Sequence, residues 1–259
     1  MEVEQMQHCE IRKKHRVERA IIMAAGTGTR MRPVTLDTPK PLIRVNGVRM
    51  IDTVIRALQE NGIFEIYVVT GYQKEQFACL TENYEGVQLI ENPYWASCNN
   101  IASLYVAREH LENAMILDGD QMVYKKEILA PEFTRSGYNA IWTDAETDEW
   151  LMQVENGIVR SCSRTGGKGG WQLFSVSRWS REDGKRLKKH LELEFEEKKN
   201  RQIYWDDVAM FCHFQEYELG IYPMQEGDLI EIDDFSELCE LDPSYCGYEA
   251  QGQKKSEEK

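Results

Sequence analysis

Apolar residues recur along this chain in two rhythms. Ala20-Ile21-Ile22-Met23 is an unbroken apolar run, the pattern of a buried strand near residues 19–24. Met50 to Asn61 instead spaces Ile51, Val54, Ile55 and Leu58 along one helical face, and Gly62 stands where helices end. Phe64 to Thr70 predicts a strand with Gly71 behind it, Gln73 to Glu82 a helix, and Val87 to Ile90 a short strand. Asn100 to Leu111 predicts a helix packed through Ile101, Leu104, Tyr105 and Ala107. Ala114 to Leu117 then runs as a strand into Asp118-Gly119-Asp120. This alternation predicts an α/β protein, a Rossmann-like mixed, mostly parallel sheet flanked by helices. Such sheets bind ligands at the carboxyl ends of their strands. The loop at Gly26, Gly71 and the Asp118–Asp120 pair each follow a strand and are expected in one crevice.

Past about residue 135 the rhythm changes. Tyr138–Thr143, Trp150–Val154, Ile158–Cys162 and Trp171–Val176 predict a β-rich subregion, expected to bind the acceptor. Helices resume at Arg181–Glu197, a charged and solvated stretch, and at Asp206–Phe214. Asp233-Asp234 reads as the N-cap of a final helix. The domain reading is a polar extension over residues 1–18, one folded domain over 19–246, and a polar tail over 247–259 read as disordered.

Composition narrows the function. A chain of 259 residues with 42% hydrophobic content can bury one sizeable core. A formal net charge of -13 argues against a phosphate-backbone contact with nucleic acid, yet permits a small basic pocket. No apolar run approaches a membrane span, and residues 1–18 lack a signal-peptide core, so no membrane insertion is expected. The seven scattered cysteines lack any Cys-x-x-Cys, which favours reduced thiols in the cytoplasm over zinc or disulfides.

The candidate chemistry begins where the first strand ends, in Ala24-Ala25-Gly26-Thr27-Gly28-Thr29-Arg30-Met31-Arg32-Pro33, followed by Pro39-Lys40-Pro41-Leu42. Small residues let backbone N–H groups approach phosphate oxygens, while Arg30, Arg32 and Lys40 add positive charge. Met31 stands where a dinucleotide fingerprint needs its third glycine, and no Walker A triplet follows. The offsets set the run apart from a plain glycine turn. Asp118-Gly119-Asp120 and Asp206-Asp207 are the acidic pairs. One carboxylate from each, Asp120 and Asp206, would hold Mg²⁺ against the triphosphate. Read alone, either pair is equally a turn or a helix cap.

The glycine run resembles the signature of nucleotidyltransferases, which include the sugar-1-phosphate nucleotidylyltransferases. Asn99-Asn100-Ile101-Ala102-Ser103-Leu104-Tyr105, Asp118-Gly119-Asp120, Glu149-Trp150 and Tyr204-Trp205-Asp206-Asp207 follow in order. With Val69-Thr70-Gly71-Tyr72 they resemble the bacterial CTP:phosphocholine cytidylyltransferases over roughly residues 19 to 242. The resemblance implies a fold of the nucleotide-diphospho-sugar transferase type, Mg²⁺ as cofactor, and CTP and phosphocholine as substrates. It matches Asp120 and Asp206 to metal carboxylates, Lys40 to the phosphate-binding lysine, and Trp150 and Tyr204 to the choline pocket. Gly119 departs from the family's usual Asp-Ala-Asp, and Gly166–Gly170 with Trp171 adds glycines and an aromatic near the presumed acceptor pocket.

A trimethylammonium group lacks N–H donors, so aromatic faces suit it, and Trp150, Trp171, Tyr204 and Trp205 are candidates alongside ordinary core packing. A primary ammonium would be better served by hydrogen-bond acceptors. In the expected in-line attack on the α-phosphate, Arg30 and the amides of Gly26 to Thr29 steady the outer phosphates, and Lys40 neutralises charge at the α-phosphate. The base is expected against Ala24, Ala25 and Gly26 and the Gly71-Tyr72 turn. Asn99, Asn100 and Ser103 are candidates for ribose or base contacts, with helix capping the alternative. The rival functions are a sugar-1-phosphate nucleotidylyltransferase using UTP or dTTP, and a non-catalytic nucleotide-binding domain.

Overall fold

A computed structural model describes residues 13–248. Nine strands form its main sheet: β1 Arg19–Ala24, β2 Glu65–Thr70, β3 Val87–Glu91, β4 Ala114–Asp118, β5 Gly137–Thr147, β6 Leu151–Glu155, β7 Ile158–Ser163, β8 Gly167–Trp179 and β9 Gly220–Pro223. Their order is β5-β9-β7-β6-β8-β4-β1-β2-β3, with β5 also paired to β8. Strands β1 to β4 pair in parallel. Strand β8 joins β4 antiparallel, Val176 opposite Leu117, and carries the sheet into its other half.

The buried run of β1 explains its central place. Alternate side chains leave a strand on opposite faces. Ala20, Ile22 and Ala24 join one core with Ile51, Val54, Ile55 and Leu58 of helix α1, Met50–Glu60. Ile21, Met23 and Ala25 join the other core, with Ile101 and Leu104 of α3, Ile101–Val106, and Leu187 and Leu191 of α4, Arg181–Glu192. Helices therefore cover both faces, and the sheet is mixed as the chain pattern predicts. A third cluster joins Met31, Val34, Ile43 and Met122 to Ile232 and to Leu238 of α5, Phe235–Leu241, so the C-terminal segment braces the glycine loop.

The β-rich half closes on itself. Strand β5 lies between β8 and β9, β6 and β7 form a hairpin leaving β8, and Ile158 of β7 meets Gly220 of β9. The glycine-rich stretch belongs to β8, with Lys168 opposite Glu146 and Gly170 opposite Thr143.

Several helices differ from the periodicity reading. The stretch expected as one helix over Asn100–Leu111 is α3 followed by a separate turn, Arg108–His110. The stretch from Gln73 starts as a tight turn, Lys74–Phe77, before α2, Ala78–Asn83. The expected helix at Asp206–Phe214 is one wide turn, Val208–Cys212. Within the polar lead-in, His15–Arg16 pairs with Glu132–Phe133. Tyr248, at the start of the tail read as disordered, donates its hydroxyl to the Asp37 carboxylate at 2.9 Å. The remaining ends of both segments, residues 1–12 and 249–259, lie outside the described residues. The cysteines among the described residues are unpaired, and among those residues no helix is long and apolar enough to cross a membrane.

Candidate active site

Two adjoining cavities open at the carboxyl edge of the parallel strands. One, of about 270 Å³, is lined by Gly26, Thr27, Gly28, Thr29, Lys40 and Pro41. The other, of about 240 Å³, is lined by Asn100, Glu149, Trp150, Tyr204, Asp206 and Glu231, with Asp118, Leu173 and Ser175 on its floor. Arg30, Asp120 and Asp233 line both.

The first cavity owes its shape to a short stretch of chain. Gly28 turns with φ +58°, and a Cβ there would come within 3.0 Å of both Lys40 Cβ and Thr35 Cγ2. Thr35 donates its hydroxyl to the Gly28 carbonyl at 2.9 Å, which ties the loop to the following turn. A Cβ on Gly26 would meet nothing within 4 Å, so open space borders the loop backbone there. Lys40, largely buried, donates to Asp120 Oδ2 at 2.6 Å and to Asp233 Oδ1 at 3.4 Å. Burial opposes its charge, but Asp120 and Asp233 more than offset this and hold its pKa above the usual lysine value. Arg30 pairs with the same Asp233 oxygen at 2.8 Å. Two cations, Arg30 and Lys40, thus share one aspartate oxygen.

The second cavity is acidic. Burial, with repulsion from Asp120 and Asp206, lifts the Asp118 carboxyl well above the usual range. Burial lifts Asp206 to about 8, and Glu231 likewise to about 8, the latter reinforced by Asp120 and Asp118. Asp206 Oδ1 is buried without a hydrogen-bond partner. Its neighbour Asp207 is occupied structurally: it accepts from Arg164 Nε at 2.7 Å and from the Tyr204 amide at 2.9 Å. Crowded, proton-holding carboxylates with an orphaned oxygen are a donor set that a hard divalent cation satisfies. On the opposite wall Trp150 meets Tyr204 at 90°, ring centroids 6.0 Å apart. Glu149 sits beside this corner, its carboxyl raised by burial and by Asp233.

The structure thus brings together Gly26, Thr27, Gly28, Thr29, Arg30, Lys40, Asn100, Asp120, Trp150, Tyr204 and Asp206. Other residues expected to touch ligands line neither cavity. Gly71 and Tyr72 brace the loop from behind: the Tyr72 amide donates to the Ala25 carbonyl at 3.1 Å and its hydroxyl to the Thr35 carbonyl at 2.9 Å. Asn99 donates to the Gln202 carbonyl at 3.1 Å. Ser103 is buried and accepts from Asn92 at 3.0 Å. Asn100 does both jobs, since it lines the cavity while its Oδ1 accepts from the Trp205 amide at 2.8 Å. Trp171 packs edge-on against Trp142 at 5.7 Å, outside the cavity, because β8 pairs it across from that residue. Trp205 is core, against Tyr138 and Trp179.

Glu231 and Asp233 were missed. The chain pattern predicts a cap at Asp233-Asp234, and Asp234 does cap α5, accepting from the Ser236 and Glu237 amides. Asp233 instead turns to Arg30 and Lys40. The signal was available in Glu231-Ile232-Asp233, two acids one residue apart on either side of a buried isoleucine.

A glycine-lined cationic cavity merging with an acidic one, at the carboxyl edge of this sheet, defines a nucleotidyltransferase. Residues 20–177 match the model of the MobA-like NTP transferase domain. The chain is 40% identical to a 2-aminoethylphosphonate cytidylyltransferase of Lancefieldella rimae, over 87% of this chain and 92% of that one. It is 33% identical to a choline-phosphate cytidylyltransferase of Streptococcus pneumoniae, over 86% of this chain and 96% of the relative. It superimposes on the solved CTP:phosphocholine cytidylyltransferase of Streptococcus pneumoniae with a TM-score of 0.80 at 32% identity, covering 88% of this chain and 99% of that one. The chain belongs to the cytidylyltransferases of the MobA-like NTP transferase family.

Proposed function

We propose that the chain transfers the cytidylyl group of CTP to a small acceptor with a phosphate or phosphonate at one end and an ammonium at the other, releasing pyrophosphate. The observation that carries this reading is the shared wall of Arg30, Asp120 and Asp233 between a phosphate-sized glycine cavity and an acidic, aromatic-cornered one. The first acceptor we assign is 2-aminoethylphosphonate. Its primary ammonium needs hydrogen-bond acceptors, and Glu149 with its neighbouring carboxylates supplies them. Likeness to the Lancefieldella rimae enzyme supports the same choice. Phosphocholine is the second reading, favoured by the right-angled corner of Trp150 and Tyr204, which offers aromatic surface to a trimethylammonium. Trp171 no longer adds weight to it, since it packs elsewhere.

In this mechanism an anionic oxygen of the acceptor attacks the α-phosphorus of CTP in line, the new P–O bond forms, and the bond to pyrophosphate breaks. The attacking oxygen carries no proton, so no general base is required. Lys40 exchanges Asp120 and Asp233 for phosphate oxygens and neutralises charge growing around the α-phosphorus. Arg30 likewise leaves Asp233 for the outer phosphates. Asp120 and Asp206, with Glu231 and Asp233 close by, are the residues that would hold Mg²⁺, which when bound supplies Lewis-acid charge neutralisation and orientation. Drawing on CTP, the protein would work where that pool is, in the cytoplasm.

The test is pyrophosphate release with CTP and, separately, 2-aminoethylphosphonate, phosphocholine and phosphoethanolamine, beside UTP with glucose 1-phosphate. Release fastest with 2-aminoethylphosphonate supports the first reading. Preference for phosphocholine moves the assignment to the second. Release only with the sugar phosphate overturns both.

A further inference from the structure

The end of α4 packs against the wide turn Val208–Cys212, well along the chain from the glycine loop. There His190 and His213 lie face to face, ring centroids 3.8 Å apart and planes within 8° of parallel. One carboxylate addresses both. Glu216 places Oε2 at 3.2 Å from His190 Nε2 and Oε1 at 3.3 Å from His213 Nδ1. The far nitrogen of each ring is held from the protein side. His213 Nε2 lies 2.9 Å from the Glu194 carboxylate, which is 1% exposed, and His190 Nδ1 lies 2.8 Å from the Tyr217 hydroxyl.

The protons follow from these partners. Burial alone would raise Glu194, but hydrogen bonds from Lys198, Asn200 and His213 hold its carboxyl below the usual range. It is therefore an ionised acceptor, and His213 Nε2 must donate to it. With Nε2 so committed, Nδ1 is the His213 nitrogen left to face the Glu216 carboxylate. Burial, and then the neighbouring His213, lowers the basicity of His190 and keeps its ring neutral. In the tautomer whose Nδ1–H donates to the Tyr217 hydroxyl, His190 turns its Nε2 lone pair to Glu216. In that state two imidazole nitrogens and a carboxylate converge as a donor set for a cation.

We propose that His190 Nε2, His213 Nδ1 and the Glu216 carboxylate form a binding site for one imidazole-seeking divalent ion of the zinc class. One ligand atom from each of the three side chains lies within 4.8 Å of the other two, so modest side-chain shifts would bring all three to the bond lengths of about 2.0–2.2 Å that such an ion takes. Water completes the fourth position. Metal-bound histidines characteristically donate their other N–H to a carboxylate or an oxygen, the part played here by Glu194 and Tyr217. Parallel rings cannot both aim at one ion, so binding tilts them apart. The donor set separates this site from the all-oxygen cavity, which suits magnesium. The ion would clip α4 to the segment that follows Tyr204 and Asp206, and so stiffen one wall of the acceptor cavity.

Metal-free full-length protein, with excess Mg²⁺ to fill the carboxylate cavity, is titrated with Co²⁺ and followed by the visible absorption of four-coordinate cobalt. One saturating equivalent, displaced by Zn²⁺, is the expected result. Glu216→Ala, at an exposed position, abolishes the band, as does His213→Ala. Tyr217→Phe weakens binding by about 10- to 100-fold through the loss of the partner that orients His190. Asp120→Asn leaves the band in place. No band in the unaltered protein, or an equal band in Glu216→Ala, overturns the site; the first result would mean that hydrogen bonds alone join the two rings to their glutamates.

Discussion

The two ends of the cleft are built in opposite ways. The cationic end is nearly one piece of chain: Gly26 to Lys40 supply its loop and both cations, with Asp120 and Asp233 reaching in. The acidic end is assembled from Asn100, Glu149, Trp150, Leu173, Tyr204, Asp206 and Glu231, delivered by separate strands and turns. A contiguous loop keeps its geometry through local bonds such as Thr35 to Gly28. A dispersed wall can change one member without disturbing the others. Under the proposed function the phosphate end is thereby fixed while the acceptor end is open to replacement, and substitutions at the two ends should fail differently.

The largest effects belong to the shared wall. Asp120→Ala should abolish turnover with every acceptor while the far-ultraviolet circular dichroism stays that of the folded protein. Lys40→Ala should lower kcat by about 10²- to 10³-fold, the usual loss on removing one donor aimed at developing charge. Both losses should be equal across acceptors. A loss confined to one acceptor would place Lys40 or Asp120 in the acceptor site alone.

Next comes the support behind the loop. Gly71 lines neither cavity, yet a Cβ there would stand 2.6 Å from Trp95 Cβ and 2.8 Å from the Ala25 carbonyl oxygen. Gly71→Ala should therefore destabilise the fold by about 1–3 kcal/mol, the range for overpacking, read as a drop in the denaturation midpoint. An unchanged midpoint would show that Trp95 yields freely.

The same contrast decided what the chain pattern could reveal. The glycine loop, Arg30 and Lys40 are close in sequence, so their spacing carried the phosphate site. The strands β1 to β4 were legible because buried runs such as Ala20–Met23 have a clear period. Glu231 and Asp233 escaped because only the pairing of Leu229–Glu231 with Gln121–Val123 brings them beside Asp120. Trp171 and Trp150 look alike in sequence, and the pairing of β8 with β5 alone separates one from the cavity. The wide turns at Leu193–Glu197 and Val208–Cys212 fall inside the predicted helices Arg181–Glu197 and Asp206–Phe214, but their broken period hid the meeting of His190 with His213.

Changes in the dispersed wall should be smaller and acceptor-specific. Trp150→Ala should raise the KM of a trimethylammonium acceptor by about tenfold, in line with about 0.5–2 kcal/mol for a cation over an aromatic face. Glu149→Gln should instead penalise the primary ammonium. Neither should alter the KM for CTP. Equal penalties for both acceptors from each variant would remove the division of labour between ring and carboxylate.

The smallest effect is a slope. Burial raises the Glu231 carboxyl from 4.5 to about 8, so the folded chain keeps a proton that the unfolded chain releases near pH 4.5. Between those values the folded state binds the extra proton. This contribution is complete below pH 4.5, declines as pH rises, and is gone above about 8. Asp206, raised to about 8, acts in the same direction. The protein without divalent ions should therefore lose stability from pH 5 to pH 8.5 through these two groups. Glu231→Gln keeps an oxygen for the Gln121 amide, which donates to Glu231 at 2.7 Å, and removes the titration. Its stability should fall less steeply than that of the parent, by up to about 1.4 kcal/mol per pH unit. Denaturation midpoints across that range, compared between the two proteins, measure the difference and cancel every other titrating group. Added Mg²⁺ should flatten the parent's decline, because a cation among the carboxylates does what the proton did. Parallel profiles without Mg²⁺ would mean that Glu231 is already ionised in the fold, and that the acidic end is held together by something other than shared protons.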